Sequence, residues 1–429
     1  MASRFVPSCW RFECNARAWC VRTAQAAIVA VLFETAPAAH SQFLIRPTPG
    51  EQVRLMPSDL AILDTGDLRK DLPCSVVERK PELGFDLRFH SGYEVSIPLR
   101  ELSGAGEMLT VLFRVSADDE AGKPAYFVQH YEVPSIPDDA RGDAILEGIV
   151  DLGEGKYHVD WLMRDRAERI CSTVWEVEAA LPAKDKPMPL FLGPSQVAES
   201  LAEPFANDAQ LPAQPRSDDL ELKLLVNFAP QKSLSAALQR SDTEALVSIL
   251  KAIQRDPRVA HISLVAFNID ETRVIYRQNK AGRIDFPALG SALRTVKPGT
   301  VNLVNLSQPH SQTDFLERLI EQEVGSGGEH PDAVIFAGPK AMLNADVPQQ
   351  DLRRIGEIEC PVFYMNYNLN PQAAPWKDSI SHAIRAFKGT EYTISRPRDL
   401  WFSTTEMFNR IMRSKRQRPV ATTSTGGGN

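Results

Sequence analysis

The sequence predicts an all-β unit followed by an α/β unit with a mostly parallel sheet, and three observations predict it. From about Ser41 to Leu181, apolar and polar residues alternate with a period of two, in short runs broken by turn residues. Between Pro182 and Asp219 that periodicity stops, and seven prolines (182, 187, 189, 194, 204, 212 and 215) stand among Ala, Gln, Asp and Ser, the composition of a linker. From Leu220 onward, continuous apolar runs such as "AVIF" and "VFYM" alternate with segments of helical spacing. Strands of that kind belong to a sheet covered on both faces by crossover helices. A chain of 429 residues with 43% hydrophobic residues is long enough to bury two such cores.

The first 41 residues stand apart from both units. Arg4, Arg11, Arg17 and Arg22 precede the apolar "AQAAIVAVLF", which is followed by "ETAPAAHSQ". A basic region, a short apolar core and a small-residue zone make up a secretory signal peptide, expected to be cut near Ala39 to Ser41. The apolar run is about half of the ~20 residues a membrane span needs, so the chain is expected to be exported, to the periplasm or beyond, and not anchored. The four Arg and two Glu of this segment carry +2 of the total −7, leaving −9 on the rest. An acidic chain lacks the dominant basic face of a nucleic-acid binder.

The expected β-sandwich spans residues 42–181. "GFDLRFHSGYEVSIPL" alternates on both sides of Ser91-Gly92 and reads as a hairpin turning there. "LTVLFRVS", "AYFVQHYEV", "KYHVDWLMRD" and "ERICSTVWEVEA" follow as strands, the last two joined through "RDRAER". Once the leader is removed, Cys74, Cys171 and Cys360 remain. Cys74 and Cys171 fall in the same unit and either pair in an oxidising compartment or stay as buried thiols.

The α/β unit spans residues 220–412, after a linker at 182–219 in which "MPLFLGP" is apolar enough to pack onto a domain. "LKLLVNF" is its first buried strand, and "SDTEALVSILKAIQ" is a helix opening on a capping box from Ser241 to Glu244. "HISLVAFNI" and "TRVIYRQ" form a strand pair around an Asp270-Glu271 turn, and Asp285 caps the helix "FPALGSALRTV". "TVNLVNL", "DAVIFAGP" and "CPVFYMNYN" are further strands, "TDFLERLIEQEV" and "PWKDSISHAIRAFK" helices, "TEYTIS" an edge strand, and "PRDLWFSTTEMFNRIM" the closing helix. Residues 413–429 are low in complexity and expected to be a disordered basic tail.

This order, and above all "VAHISLVAFNIDETRVIYRQ…DFPALGSALRTV", resembles the von Willebrand factor type A (VWA) domain over residues 220–412. The chain as a whole is similar to exported bacterial proteins that place a β-domain before a VWA-like domain. The resemblance implies a metal-dependent adhesion site built from an Asp-x-Ser-x-Ser loop, a later Thr and a later Asp. Here the loop positions are Asn227, Ala229 and Gln231, and the later Asp position falls at Ala337 or Gly338. Magnesium needs carboxylate oxygen in near-octahedral array, so no metal and no cofactor are expected.

Chemistry-bearing motifs are otherwise lacking in the sequence. It has no G-x-S-x-G elbow, no Walker loop and no dinucleotide fingerprint, and its eight histidines show no i, i+4 pair. Ligands of open α/β sheets bind outside the carboxyl ends of the strands. That rim would be formed by "NFAPQKS", "NLSQPHSQ", "AGPKAML" and "NYNLNPQAAPW". Asn227, Phe228, Gln231, Ser307, His310, Gly338, Lys340, Asn366 and Trp376 are the candidate ligand-facing residues. Polar, mostly uncharged loops with a few aromatic anchors suit contact with a protein or glycan partner better than acid–base chemistry. The expected role is a non-catalytic interaction or adhesion module. The alternative is an exported enzyme on a Rossmann-like fold whose site no motif marks.

Overall fold

The computed structural model describes residues 43–45, 56–103, 107–118, 124–200, 204–206, 219–231, 238–294, 310–325, 330–355, 358, 360–369, 372, 375 and 377–417. The signal peptide expected at 1–41 and the strand expected at 300–306 lie outside the described residues. Within them the fold is strand-rich, with two antiparallel sheets and one mixed sheet.

The first unit runs β1 (Phe43–Ile45), α1 (Pro57–Thr65), β2 (Ser75–Leu83), β3 (Phe89–Pro98), β4 (Glu107–Ala117), β5 (Ala125–Val133), β6 (Asp143–Leu152), β7 (Gly155–Arg164), β8 (Ile170–Ala179) and β9 (Val197–Glu199). One antiparallel sheet has the order β1-β5-β4-β7-β8 and the other β2-β3-β6-β9. The period-two alternation has its physical use here. Tyr93, Val95 and Ile97 from one sheet meet Val111, Phe113, Val159 and Trp161 from the other in a single core cluster. Tyr93 sits edge-on to Trp161, ring centroids 5.2 Å apart, and to Phe113 at 5.6 Å, the offset geometry that aromatic quadrupoles favour. On the opposite face of the five-stranded sheet, Ile62 and Leu63 of α1 cover Leu112, Val128 and Leu162.

The hairpin turn is not at Ser91-Gly92. β3 runs straight through those residues, and the reversal is at Gly84–Arg88, where the Gly84 N–H donates to Arg88 O (2.8 Å) and Leu87 adopts φ 64°. Gly92 is in the strand because the neighbouring strand comes too close for a side chain: a Cβ there would lie 1.9 Å from Gly148 O. A strand glycine can mark close backbone approach as well as a turn.

Cys74 and Cys171 are joined in a disulfide, their Cα atoms 6.4 Å apart, while Cys360 carries no disulfide. Of the two alternatives left open for the pair, the oxidised one is present.

The second unit runs β10 (Leu220–Asn227), α2 (Arg240–Gln254), β11 (Val259–Asn268), β12 (Arg273–Ala281), α3 (Phe286–Leu293), α4 (Ser311–Val324), β13 (Ala333–Pro339), α5 (Gln349–Arg354), β14 (Val362–Tyr367), α6 (Ser379–Ala386), β15 (Thr390–Ile394) and α7 (Pro397–Gln417). Its sheet has the order β12-β11-β10-β13-β14-β15, parallel except for the β11–β12 pair. Both faces are buried. Leu222, Leu224 and Val226 pack with Leu246 and Leu250 of α2 and Met407 and Phe408 of α7. Leu225, Val334 and Phe336 pack with Leu316 and Leu319 of α4 and Ile380 and Ile384 of α6. That is why the strands read as unbroken apolar runs.

Three local expectations change. The capping box of α2 is formed by Gln239 and Asp242, with the Gln239 N–H donating to Asp242 Oδ2 (3.2 Å); the helix begins before Ser241, so Ser241 and Glu244 do not form it. α7 continues through Gln417, so residues 413–417 are helical and the basic tail begins later than expected. Lys415 donates to Asp332 Oδ2 (2.8 Å) and Asp219 O (2.6 Å), and basic residues suit the negative end of a helix. Residues 418–429 lie outside the described residues. Asp285 caps α3 as expected, accepting from the Ala288 N–H at 2.9 Å.

The proline-rich stretch is not a free linker in its first half. Val197–Glu199 pairs with Val150–Leu152, and Phe191 donates its N–H to Leu87 O (2.9 Å). The Phe191 ring meets both Arg88 (4.1 Å from its centroid) and Arg255 at the end of α2 (4.8 Å), two cation–π contacts. Phe85 packs against the core of the second unit and Trp401 of α7 against that of the first. Proteolysis needs backbone that can leave its contacts. Limited digestion followed by mass spectrometry is therefore expected to yield no fragment ending between Pro182 and Glu199. Early cuts in that interval would mean that these contacts do not hold in solution.

Candidate functional site

The rim expected to bind ligand is formed by the carboxyl ends of the parallel strands. β10 and β13 pair with Val226 opposite Ala337, and β13 and β14 with Gly338 opposite Asn366. Asn227, Gly338 and Asn366 thus form one row across three adjacent strands, all buried. Gly338 has φ 156°, and a Cβ there would lie 2.8 Å from Asn227 Cβ, so the close approach of the Asn227 side chain requires glycine.

The side-chain oxygens of Asn227 and Gln231 are engaged within the chain. Asn227 Oδ1 accepts from the Ile269 N–H at 3.1 Å. Gln231 donates through Nε2 to Asn368 Oδ1 (3.0 Å) and accepts through Oε1 from the Leu369 N–H (3.2 Å), tying the tail of β10 to the tail of β14. Asn366 Nδ2 donates to Glu391 Oε1 on β15 (2.8 Å).

The remaining candidates divide. Phe228 is a core residue and no ligand anchor: it continues the alternation of Leu224 and Val226 and is 1% exposed. His310 is exposed at the start of α4, and Lys340 is half-buried just after β13. Ser307 and Trp376 lie outside the described residues. The loop after β13 is held to the start of α6: Ala341 N–H donates to Asp378 Oδ1 (3.2 Å) and Ser379 Oγ to Asp346 Oδ1 (2.8 Å). Burial pushes the Asp378 carboxyl up to about 6. Met342 stands out of this loop, 53% exposed.

Sequence reasoning missed a second constellation. Asp86, His90 and Asp151 come together beside the β2–β3 turn, close enough to hold a metal ion. His90 Nδ1 lies 2.8 Å from Asp151 Oδ1 and its Nε2 3.1 Å from Asp86 Oδ1. Arg88 Nη1 donates to Asp151 Oδ2 at 2.9 Å. The donor set does not fit a metal: both ring nitrogens face carboxylates, and the guanidinium already balances the buried charge of Asp151. Burial opposes a charged imidazole, but the bonds and charges of Asp151 and Asp86 outweigh it and raise the His90 pKa to about 10. The cluster is an imidazolium held between two carboxylates, and it fixes Arg88 against Phe191. Asp86 and His90 at i, i+4 around a turn were a local signal; Asp151 gave none.

No family model matches the chain, and no curated protein matches it. Among solved structures, the PilB minor pilin from Streptococcus sanguinis is 8% identical at a TM-score of 0.29, with 94% of this chain and 100% of that one covered. A point mutant of the same pilin is 8% identical at 0.29, with 72% and 90% covered. A Bacteroides uniformis beta-glucuronidase is 8% identical at 0.18, with 68% and 33% covered. With all three TM-scores under 0.5, none of these likenesses bears on fold family or function. No helix among the described residues is long and apolar enough to cross a membrane.

Proposed function

We propose that the chain is an exported bacterial protein in which a β-sandwich precedes a metal-free, VWA-like unit, and that it binds a protein partner without catalysis at the carboxyl-end rim of the six-stranded sheet. One observation carries this reading. Where a VWA site needs carboxylate oxygen, the rim offers the neutral amides of Asn227 and Gln231 with Gly338 alongside, and their side-chain oxygens accept from backbone or strap donors of the same chain. Neutral oxygens already bonded do not offset the dehydration of a dication. The Cys74–Cys171 disulfide is in keeping with an oxidising compartment, as is the Arg-flanked apolar leader. Exposed Met342 beside Lys340 supplies an adaptable apolar contact at the rim.

Photo-crosslinking in the native envelope tests the proposal. A benzoylphenylalanine at position 342 of the full chain is expected to give one discrete protein adduct. The same group at Glu176, exposed on the β8 strand, is expected to give none. Adducts from neither position, or from both alike, would sink the rim as the contact surface.

A further inference from the structure

A cavity of about 540 Å³ lies where the sandwich meets the second unit, just past the end of β15. Small-molecule sites fall in the range of roughly 300–1,000 Å³ and favour boundaries between units. One wall is apolar: Leu83 and Phe89, paired across β2 and β3, with Pro182 shortly after β8. The opposite wall is Arg396–Asp399, where β15 gives way to α7, and Lys184 lines the cavity from the sandwich side. Arg398 Nη1 bridges to Asp185 Oδ1 at 2.9 Å, and Trp401, one turn along α7, packs on the sandwich core. The two walls are thereby tied together.

The charges around the cavity are not equally free. Asp399 Oδ2 accepts from the Ser395 and Arg396 N–H groups, at 3.1 and 2.9 Å, at the start of α7. Asp185 answers Arg398. Both carboxylates are thus engaged within the chain. Lys184 and Arg396 are exposed, and among the described residues neither side chain is in an ion pair. The charge left over is positive, and it stands beside an apolar wall.

We propose that this cavity binds a small amphipathic carboxylate, its apolar body against Leu83, Phe89 and Pro182 and its head held by Lys184 and Arg396. Both cations can form charge-assisted hydrogen bonds to carboxylate oxygen. A cationic ligand would meet two like charges. A neutral apolar molecule would gain nothing from either cation, and a bare anion nothing from the apolar wall. The cavity shares no residue with the candidates at the sheet rim, so the proposal stands whether or not a protein binds there.

The test is titration calorimetry of the full chain with octanoate, 1-octanol and acetate. Octanoate is expected to bind saturably, 1-octanol at least about tenfold more weakly, and acetate not measurably. Lys184→Gln and Arg396→Gln should each weaken octanoate about fivefold, the worth of one hydrogen bond, and together remove the preference over 1-octanol. The same charge change at Lys156 and Arg166, exposed and away from the cavity, should leave octanoate binding as it is. Should the double variant not fold, the single variants and the parent's preference for octanoate decide. The proposal is overturned by no saturable octanoate binding, by equal binding of 1-octanol, or by octanoate binding that both cavity variants leave unchanged. It is overturned equally if the Lys156 and Arg166 changes weaken octanoate as much, since net charge alone would then be at work.

Discussion

Replacing Asp151 by alanine will lower folding stability by about 3–5 kcal/mol, the range for breaking a buried ion pair from one side. Asp151 is 1% exposed and accepts from both His90 Nδ1 and Arg88 Nη1. Its removal leaves the Arg88 guanidinium, whose side chain is 11% exposed, facing the more distant Asp86 at 3.7 Å. Arg88 also stacks on Phe191, which stacks on Arg255, so the damage extends to the contact between hairpin and α2. Urea unfolding of the full chain measures it. The same cluster sets a pH dependence. The His90 pKa is raised from 6.5 to about 10 by the fold, so the folded state holds its proton more tightly than the unfolded one. The stabilisation is fully present below pH 6.5 and is lost as pH rises through 10. His90→Gln should flatten that decline. A loss under about 1 kcal/mol in Asp151→Ala would mean that the cluster is solvated like a surface pair.

What was legible in the sequence was what local chemistry decides. The Asp270-Glu271 turn, the Asp285 cap and the edge position of β15 follow from turn residues, a short polar side chain before an apolar run, and a polar strand at the end of the unit. Each needs only neighbours a few residues away. Gly92 shows where that reading stops. Ser-Gly between alternating runs is a turn signal, but the close approach of the Gly148 carbonyl on the neighbouring strand makes Gly92 a strand position instead, and that strand is remote in sequence. The rim divides in the same way. Strand ends at Asn227, Gly338 and Asn366 could be read from where the apolar runs finish. Their common register, and the outward bonds to Ile269 and Glu391, depend on the order of strands in the sheet. Phe228 was misplaced because the alternation that buries Leu224 and Val226 continues one residue past the strand. Asp151 was invisible for the plainest reason: its partners are on another strand and a buried carboxylate leaves no pattern of its own.

Removing the disulfide with Cys74→Ala and Cys171→Ala together will cost about 2–5 kcal/mol, chiefly by freeing the unfolded chain. The bond closes a loop of sequence separation 97, and the entropy a cross-link removes from the unfolded ensemble grows with loop length. The native state should change little, because the joint is also hydrogen-bonded. Lys70 bridges to Cys171, Ser172 N–H donates to Arg69 O (2.9 Å), Leu72 N–H to Ile170 O (3.1 Å), and Arg69 N–H to Ser172 Oγ (2.7 Å). These contacts hold the segment before β2 along the start of β8 whether or not sulfur joins them. The double variant should therefore keep the near-ultraviolet dichroism of the parent while its denaturation midpoint falls, and its unfolding slope should rise as the unfolded chain expands. The parent chain unfolded with reductant present should behave as the variant does. A fall in midpoint accompanied by lost near-ultraviolet signal would instead place the effect in the native state. The sulfur bridge, rather than the hydrogen bonds around it, would then be what holds the edge of one antiparallel sheet against the other.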